Sequence, residues 1–308
     1  MADYTGKVAF ITGGASGAGF GQATVFAQAG CRIVIADVRR AAIEEAATKL
    51  RHQGAEVHGI ELDVTDRAAY ARAAEEVERV FGKPPELLFN TAGVNSFGPL
   101  EKSTYDDFDW IMGVDLGGVV NGMVTFVPRM IAAGRGGYIV TTSSMGGFFG
   151  SPAASIYSAA KAAVINLMES YHLSLAKYGI RVSVLCPANI RTNIAEATRL
   201  RPAHFAKTGY VENEDLVRSL RSIHAHGLDP VVLAQRTKEA MEAGQLYIIP
   251  YPEEKEHLAQ HFKQIVDAVL PMEADPEGAR QRAEALRNWV KDRQALMSKG
   301  KGDEAKRD

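Results

Sequence analysis

The chain has 308 residues, enough to bury one sizeable core, and 46 % of them are hydrophobic, an ordinary share for a globular protein. A formal net charge of −2 gives no electrostatic reason to expect nucleic acid or an acidic membrane surface as a partner. The two cysteines, Cys31 and Cys186, lack metal-ligand spacing and are too few for a disulfide framework, so no metal site and a reducing compartment are expected.

The N-terminal MADYTGKVAF lacks the basic region and apolar run of a signal peptide. No apolar run approaches the length of a membrane span, so a cytoplasmic protein is expected. In chain order, KVAFI (7–11) reads as a strand, followed by a glycine-rich turn and a helix through Ala29. CRIVIA (31–36) is a second strand, and the Ala/Glu-rich stretch 40–52 a second helix. EVHGIEL (56–62) precedes a helix over about 67–81, and ELLFN (86–90) a long helix over about 108–130. GYIVTT (137–142) leads to a helix over about 155–178, and IRVSVLC (180–186) and QLYIIP (245–250) complete the strands. Apolar strands alternating with helices predict an α/β fold: a doubly wound, parallel, seven-stranded sheet with helices on both faces. The expected organisation is one domain over 1–308, with a helical substrate-loop insertion at about 193–244 and a helical C-terminal extension at about 253–300. The charged tail SKGKGDEAKRD reads as solvated and frayed.

Ligands of such sheets bind beyond the C-terminal strand ends, and the informative residues lie there. After the first strand, Gly13, Ser16, Gly17 and Gly19 form a G-x-x-x-G-x-G turn. Glycines there let a backbone approach a pyrophosphate, and the helix N-terminus offers free N–H groups. A simple packing turn has the same glycines. Twenty residues after Gly17, Asp37 closes the second strand, where an acid accepts hydrogen bonds from an adenosine ribose and repels a 2′-phosphate, favouring NAD over NADP. Arg39 and Arg40 are read as solvated helix-start residues. Asp63, beside Val64 after the third strand, is read either as an adenine contact or as a turn aspartate.

After the fifth strand stands Ser144. Tyr157 follows thirteen residues later, and Lys161 lies one helical turn on, on the same face. An ammonium lowers the pKa of a nearby phenol, and a seryl hydroxyl can hold an oxygen on which charge develops. The three could remove a proton from an alcohol while its carbon gives hydride to nicotinamide.

In combination these residues resemble the short-chain dehydrogenase/reductase family over roughly residues 5–250. The likeness rests on the glycine turn, Asp63, Asn90-Thr91-Ala92-Gly93, Ser144, Tyr157-xxx-Lys161 and the Pro187 segment. It implies a Rossmann-like sheet with Tyr157 as acid/base. Lys161 would hold the nicotinamide ribose and lower the Tyr157 pKa, and Ser144 would position substrate. It also implies that Asn90 braces the central strand, that Ala92, Gly93, Pro187 and Ile190 flank the cofactor, and that Thr192 reaches its carboxamide. Two positions depart from the family pattern. Ala188 replaces a glycine, and Asp115, in Gly113-Val114-Asp115-Leu116-Gly117, replaces an asparagine whose implied role is to hold a water beside the lysine. A carboxylate there would offset the lysine's effect and raise the Tyr157 pKa; a neutral exchange is the alternative.

Stretches such as NTAGVNSFGPLEKSTYDDFDWI, NGMVTFVPRMI, GYVENE and YIIPYPE resemble, more narrowly, the Cα-dehydrogenases of bacterial lignin β-aryl ether degradation. The implied reaction is NAD-dependent oxidation of a benzylic secondary alcohol of the guaiacylglycerol-β-guaiacyl ether type, with R selectivity at Cα. Val94, Asn95, Phe97, Met145, Phe148 and Tyr210, with Phe149 and Phe205, are the aromatic and flexible side chains suited to a two-ring ligand. Another bulky secondary alcohol, such as a steroid or polyol, and a catalytically silent nucleotide-binding regulator are the alternatives. A homo-oligomer, dimer or tetramer, packed through the two long helices is also implied.

Overall fold

The computed structural model of the protein describes residues 3–192, 194–211 and 214–304. It divides into two compact units, residues 1–252 and 253–308. The described part of the first holds β1 (Val8–Thr12), β2 (Arg32–Asp37), β3 (Val57–Glu61), β4 (Leu87–Asn90), β5 (Gly137–Thr142), β6 (Ile180–Leu185) and β7 (Tyr247–Ile248). All pairings are parallel, in the order β3-β2-β1-β4-β5-β6-β7. The winding reverses between β1 and β4, with Thr12 opposite Asn90 at the C-terminal end of that pair. A crevice opens at such a reversal, and ligands of open α/β sheets bind there.

Apolar side chains on both strand faces require cover on both sides. Ala9 and Ile11 of β1 join a buried cluster with Phe26 of α1 (Gly17–Gln28), Leu50 of α2 (Arg40–His52) and Leu233 of α8 (Pro230–Glu242). Phe10, between them, points the other way and meets the Phe126 ring of α5 (Gly118–Ala133) at 4.6 Å. Tyr70 of α3 (Arg67–Phe81) packs edge-on against the same ring. Asp66 caps α3 by accepting from the Ala68 and Ala69 N–H groups, and Gly82 ends it in the left-handed conformation that glycine tolerates.

The expected helix at 108–130 starts earlier. Thr104 and Asp107 form a reciprocal capping box that opens α4 (Tyr105–Met112). A π-turn, Gly113–Gly117, then leads into α5. Against the expectation that no stretch approaches a membrane span, this continuous helix is long and apolar enough to cross one, but more than half of its most apolar stretch is buried within the protein, as in a core helix. α6 (Ser155–Leu175) carries the reactive pair.

Two expectations need correction. The stretch 193–244 is not all insertion: α7 (Glu214–Ala225) follows two short 3-10 turns, but α8 packs on α1 as part of the layer covering the sheet. The close approach is possible because Gly21 has no Cβ, which would overlap the Pro230 carbonyl. The C-terminal unit consists of α9 (Glu254–Asp267) and α10 (Pro276–Glu304), so the tail expected to fray is helical through Glu304; residues 305–308 and Asn193 lie outside the described residues.

Candidate active site

The turn after β1 is built for close approach. Gly13 has a φ of +65°, and a Cβ on it would stand 2.9 Å from the Ala92 Cα; a Cβ on Gly19 would overlap the Gly13 carbonyl. The Thr12 hydroxyl accepts from the Thr91 and Ala92 N–H groups at 3.0 and 3.2 Å, fixing the two loops side by side at the crevice. Gly17, with a φ of +51°, faces the Thr192 methyl group, so the Pro187 segment folds onto the glycine turn. Ser16 precedes α1 without capping its first turn. The free N–H groups of that turn are what an anion needs, and the chain therefore fits the pyrophosphate of a dinucleotide.

Asp37 is buried at the end of β2, as a ribose acceptor should be, but it is not alone. Arg39 forks onto it, Nε to Oδ1 at 2.9 Å and Nη2 to Oδ2 at 3.0 Å, and Nη2 also donates to the Ser16 hydroxyl at 2.8 Å. Arg39 does start α2 and its side chain is 36 % exposed, but it is held by this ion pair and not simply solvated. Hydrogen bonding to Asp37 raises its pKa further and locks it on. Asp63 is exposed and accepts from the Thr65 N–H and hydroxyl, the turn role foreseen as one of its two readings. Val64 is buried against Gly118, and its carbonyl accepts from Asn121 at 2.9 Å. Asn90 donates to the Thr141 hydroxyl at 3.2 Å, tying β4 to β5, while its own oxygen faces Gly122 without a partner.

Ser144, Tyr157 and Lys161 converge. Ser144 accepts from the Gly146 N–H at 3.1 Å and donates to the Pro187 carbonyl at 3.4 Å, a long bond that leaves its proton free to turn toward another oxygen. The Lys161 ammonium stands 5.3 Å from the centre of the Tyr157 ring and donates to the Thr142 carbonyl at 3.1 Å. Ser143 fixes the same helix by donating to the Lys161 carbonyl at 2.7 Å.

Asp115, in the π-turn, is fully buried beneath them. Its Oδ1 accepts from the Val94 N–H at 2.8 Å, and its Oδ2 forms an ion pair with Lys161 at 3.5 Å, too long to count as a hydrogen bond. Gly93 leaves the room: a Cβ there would stand 3.3 Å from the lysine nitrogen and 3.4 Å from Asp115 Oδ1. Burial pushes the Asp115 carboxyl up, while Lys161 and the Val94 N–H pull it back. Oδ1 already accepts the Val94 N–H and Oδ2 faces the Lys161 ammonium, two contacts that favour the carboxylate against the burial. Burial works against charge on Lys161, but Asp115 and Tyr157 outweigh it and raise the pKa. For Tyr157 burial is the largest effect and raises the pKa; Lys161 lowers it, Asp115 raises it, and Ser144 lowers it.

Above the centre lies an apolar cluster of Val94, Trp110, Ile111, Ile156 and Ala197, against which Tyr157, Phe205 and Tyr210 pack. Asn95 is buried with its side-chain oxygen unpartnered, and Met145 is buried with its N–H on the Pro187 carbonyl at 2.9 Å. Phe97 and Phe148 are partly buried. Ile190 faces elsewhere: its side chain joins the core cluster that includes Leu233 of α8, and its carbonyl accepts from His224 Nδ1 at 3.1 Å. The sequence missed Arg201, Asp107 and Ser103, which hold the segment bearing Phe205 and Tyr210. The T-x-x-D capping pattern at Thr104 was a signal for Asp107, though not for its ion pair. Among the described residues no three His, Cys, Asp or Glu side chains are grouped to hold a metal ion.

This sheet reversal, glycine turn and Ser-Tyr-Lys convergence fit one class of oxidoreductase. Residues 7–202 match the family model described as short chain dehydrogenase, and the chain belongs to that family. It is 65 % identical over 300 residues to the C alpha-dehydrogenase of Sphingobium sp. strain SYK-6, a match covering 97 % of this chain and 98 % of that protein. The solved apo structure of LigD from the same strain aligns with a TM-score of 0.75 at 57 % identity, covering 88 % of this chain and 100 % of LigD. A short chain dehydrogenase/reductase from Burkholderia phymatum, solved in complex with NAD, aligns with a TM-score of 0.83 at 34 % identity, covering 88 % of this chain and 98 % of that one.

Proposed function

We propose that this chain is an NAD-dependent dehydrogenase that oxidises the benzylic Cα alcohol of lignin-type β-aryl ethers, such as guaiacylglycerol-β-guaiacyl ether, to the aryl ketone. The observation that carries the reading is the packing of Tyr157, Phe205 and Tyr210 against one apolar cluster: a proton-transfer group and two aromatic rings share a wall. The 65 % identity to a protein named C alpha-dehydrogenase supports the same substrate class.

In the mechanism that follows, the Ser144 hydroxyl turns from the Pro187 carbonyl to the substrate oxygen and fixes it beside the phenol. Tyr157 takes the alcohol proton, and the Lys161 ammonium favours the phenolate that must be present to take it. The Thr142 carbonyl and Asp115 hold the ammonium in place. Gly13, Gly17 and Gly19, with the N-terminus of α1, hold the pyrophosphate, and Asp37 the adenosine ribose. When bound, the nicotinamide supplies the two-electron acceptor for the carbon-bound hydrogen. Gly93, Ala92, Pro187 and Thr192 border that end of the crevice.

The protein acts in the cytoplasm and as a homo-oligomer. The helical stretch 105–133 and α6 leave Phe108, Val124 and Leu173 exposed, the apolar surface that a second copy would cover. The experiment is the appearance of NADH absorbance from purified protein, NAD and the racemic ether, with Tyr157→Phe as control. NADH formation that stops at a fixed fraction of the racemate and vanishes in the control supports stereoselective Cα oxidation through Tyr157. Activity on other secondary alcohols without activity on the ether overturns the substrate class.

A further inference from the structure

The residues that place Phe205 and Tyr210 are not part of the proton-transfer group, yet they form a connected set. Arg201 Nη2 meets Asp107 Oδ1 at 2.6 Å, with the arginine side chain 10 % exposed and the aspartate fully buried. The same guanidinium donates to the Phe205 carbonyl at 3.0 Å and to the Ser96 hydroxyl at 3.3 Å. It lies 4.5 Å from the centre of the Trp110 ring, within cation–π range. Asp107 Oδ2 accepts from both the N–H and the hydroxyl of Thr104, at 2.9 Å each. Burial would push the Asp107 carboxyl up, but hydrogen bonds from Thr104, Thr208 and Arg201 hold it below its ordinary value.

Further along the same segment, the Lys207 N–H donates to Asp106 at 3.0 Å, and the Tyr210 hydroxyl shares a hydrogen bond with Ser103 at 2.7 Å. Two glycines permit the contact. A Cβ on Gly98 would overlap the Tyr210 ring, and one on Gly209 would overlap the Lys102 carbonyl.

A buried ion pair adds little net stability compared with apolar side chains of the same volume, and removing one partner is costly because the other is left charged and dry. Such a pair earns its place through geometry. This one joins the start of α4, which is fixed by its capping box, to a segment whose own secondary structure is only short 3-10 turns.

We infer that the Arg201–Asp107 pair is a latch that holds residues 201–210 against the start of α4, making Arg201 the positioning residue that sets the aryl specificity of the pocket through Phe205 and Tyr210. The inference rests on the reading of a two-ring substrate. Arg201 touches neither the proton-transfer group nor the glycine turn. Its effect is therefore carried by where the two rings stand, and it falls on substrate affinity more than on turnover.

The test compares Asp107→Asn, Arg201→Met and the milder Ser103→Ala, which removes only the partner of the Tyr210 hydroxyl. Two readouts are taken: steady-state kinetics on guaiacylglycerol-β-guaiacyl ether and on 1-phenylethanol, and the rate of tryptic cleavage after Lys207. In the two latch variants the KM for the ether rises about tenfold, kcat and the KM for NAD change by less than about threefold, and cleavage accelerates. Ser103→Ala shifts the ether KM in the same direction by less, and the KM for the single-ring alcohol moves less than that for the ether. Unchanged cleavage in Arg201→Met overturns the latch. Faster cleavage with an unchanged ether KM overturns the specificity role. Should the wild type oxidise 1-phenylethanol and ignore the ether, the substrate reading fails, and the latch is decided by the cleavage rates alone. Should Asp107→Asn and Arg201→Met fail to fold, Ser103→Ala decides, an unchanged ether KM counting against the proposal.

Discussion

Replacing Asp115 by asparagine isolates one charge in the proton-transfer group. The change keeps the shape of the side chain and its bond to the Val94 N–H, which needs only the amide oxygen. What it removes is the charge beside Lys161. The Lys161 nitrogen stands 3.5 Å from Asp115 and 5.3 Å from the centre of the Tyr157 ring, so the carboxylate lies no more than about 9 Å from that ring. At an effective dielectric of about 20, two charges at ~9 Å interact by about 2 kcal/mol, slightly more than one pH unit. The carboxylate disfavours the phenolate, so its removal lowers the Tyr157 pKa. The remaining titratable neighbour of this group, the Cys186 thiol, is pushed up to about 12 by burial and adds no charge at the pH of the assay. The acid limb of the pH profile of kcat/KM for alcohol oxidation is therefore expected to move down by about one unit in Asp115→Asn. The assay is initial NADH formation with the ether across about pH 6 to 11, at saturating NAD. Superimposable profiles would show that Asp115 carries no charge in the working enzyme, and an upward shift would show that its main effect is to sustain Lys161; either result refutes the argument.

Other outcomes follow from the same geometry. Asp37→Ser is expected to raise kcat/KM with NADP by about tenfold or more, because it frees the Arg39 fork for a 2′-phosphate; the double variant with Arg39→Ala should lose that gain, and a gain that persists would remove Arg39 from the argument. Gly19→Ala should weaken NAD binding by more than about tenfold in calorimetric titration, since its Cβ would overlap the Gly13 carbonyl and spread the turn. Glu86 accepts from the Val8 N–H at 2.9 Å and pairs with Lys83 at 2.6 Å, almost fully buried. Glu86→Ala should cost about 2–4 kcal/mol in urea unfolding with no change in the pH profile; a loss below about 0.5 kcal/mol would mean that water replaces both bonds.

What could be read from the sequence is what local spacing encodes. Tyr157 and Lys161 lie one helical turn apart, and Gly13 to Gly19 sit between one strand and the next helix, so short-range periodicity places them. The π-turn at 113–117 was not legible, because GVDLG is flanked by residues that continue a helix equally well. Asp115 stood out as a departure from a family pattern, but its bond to the Val94 N–H belongs to a loop twenty-one residues away. Arg39 was misread for the opposite reason. Its partner Asp37 is only two residues off, yet the guanidinium is also tied to Ser16 after the neighbouring strand, twenty-three residues earlier, which local spacing does not show. The same limit hides Arg201 and Asp107, ninety-four residues apart in segments with no shared periodicity. Their pairing exists only once α4 and the segment after β6 have been brought to the same end of the sheet. The Tyr157–Lys161 pair is thus written in a local pattern, whereas the contacts that hold Asp115 and those that position Phe205 and Tyr210 are long-range. On the proposed reading, a change of aryl specificity is made where Phe205 and Tyr210 are held, in 96–110 and 194–210, and not at Tyr157 and Lys161.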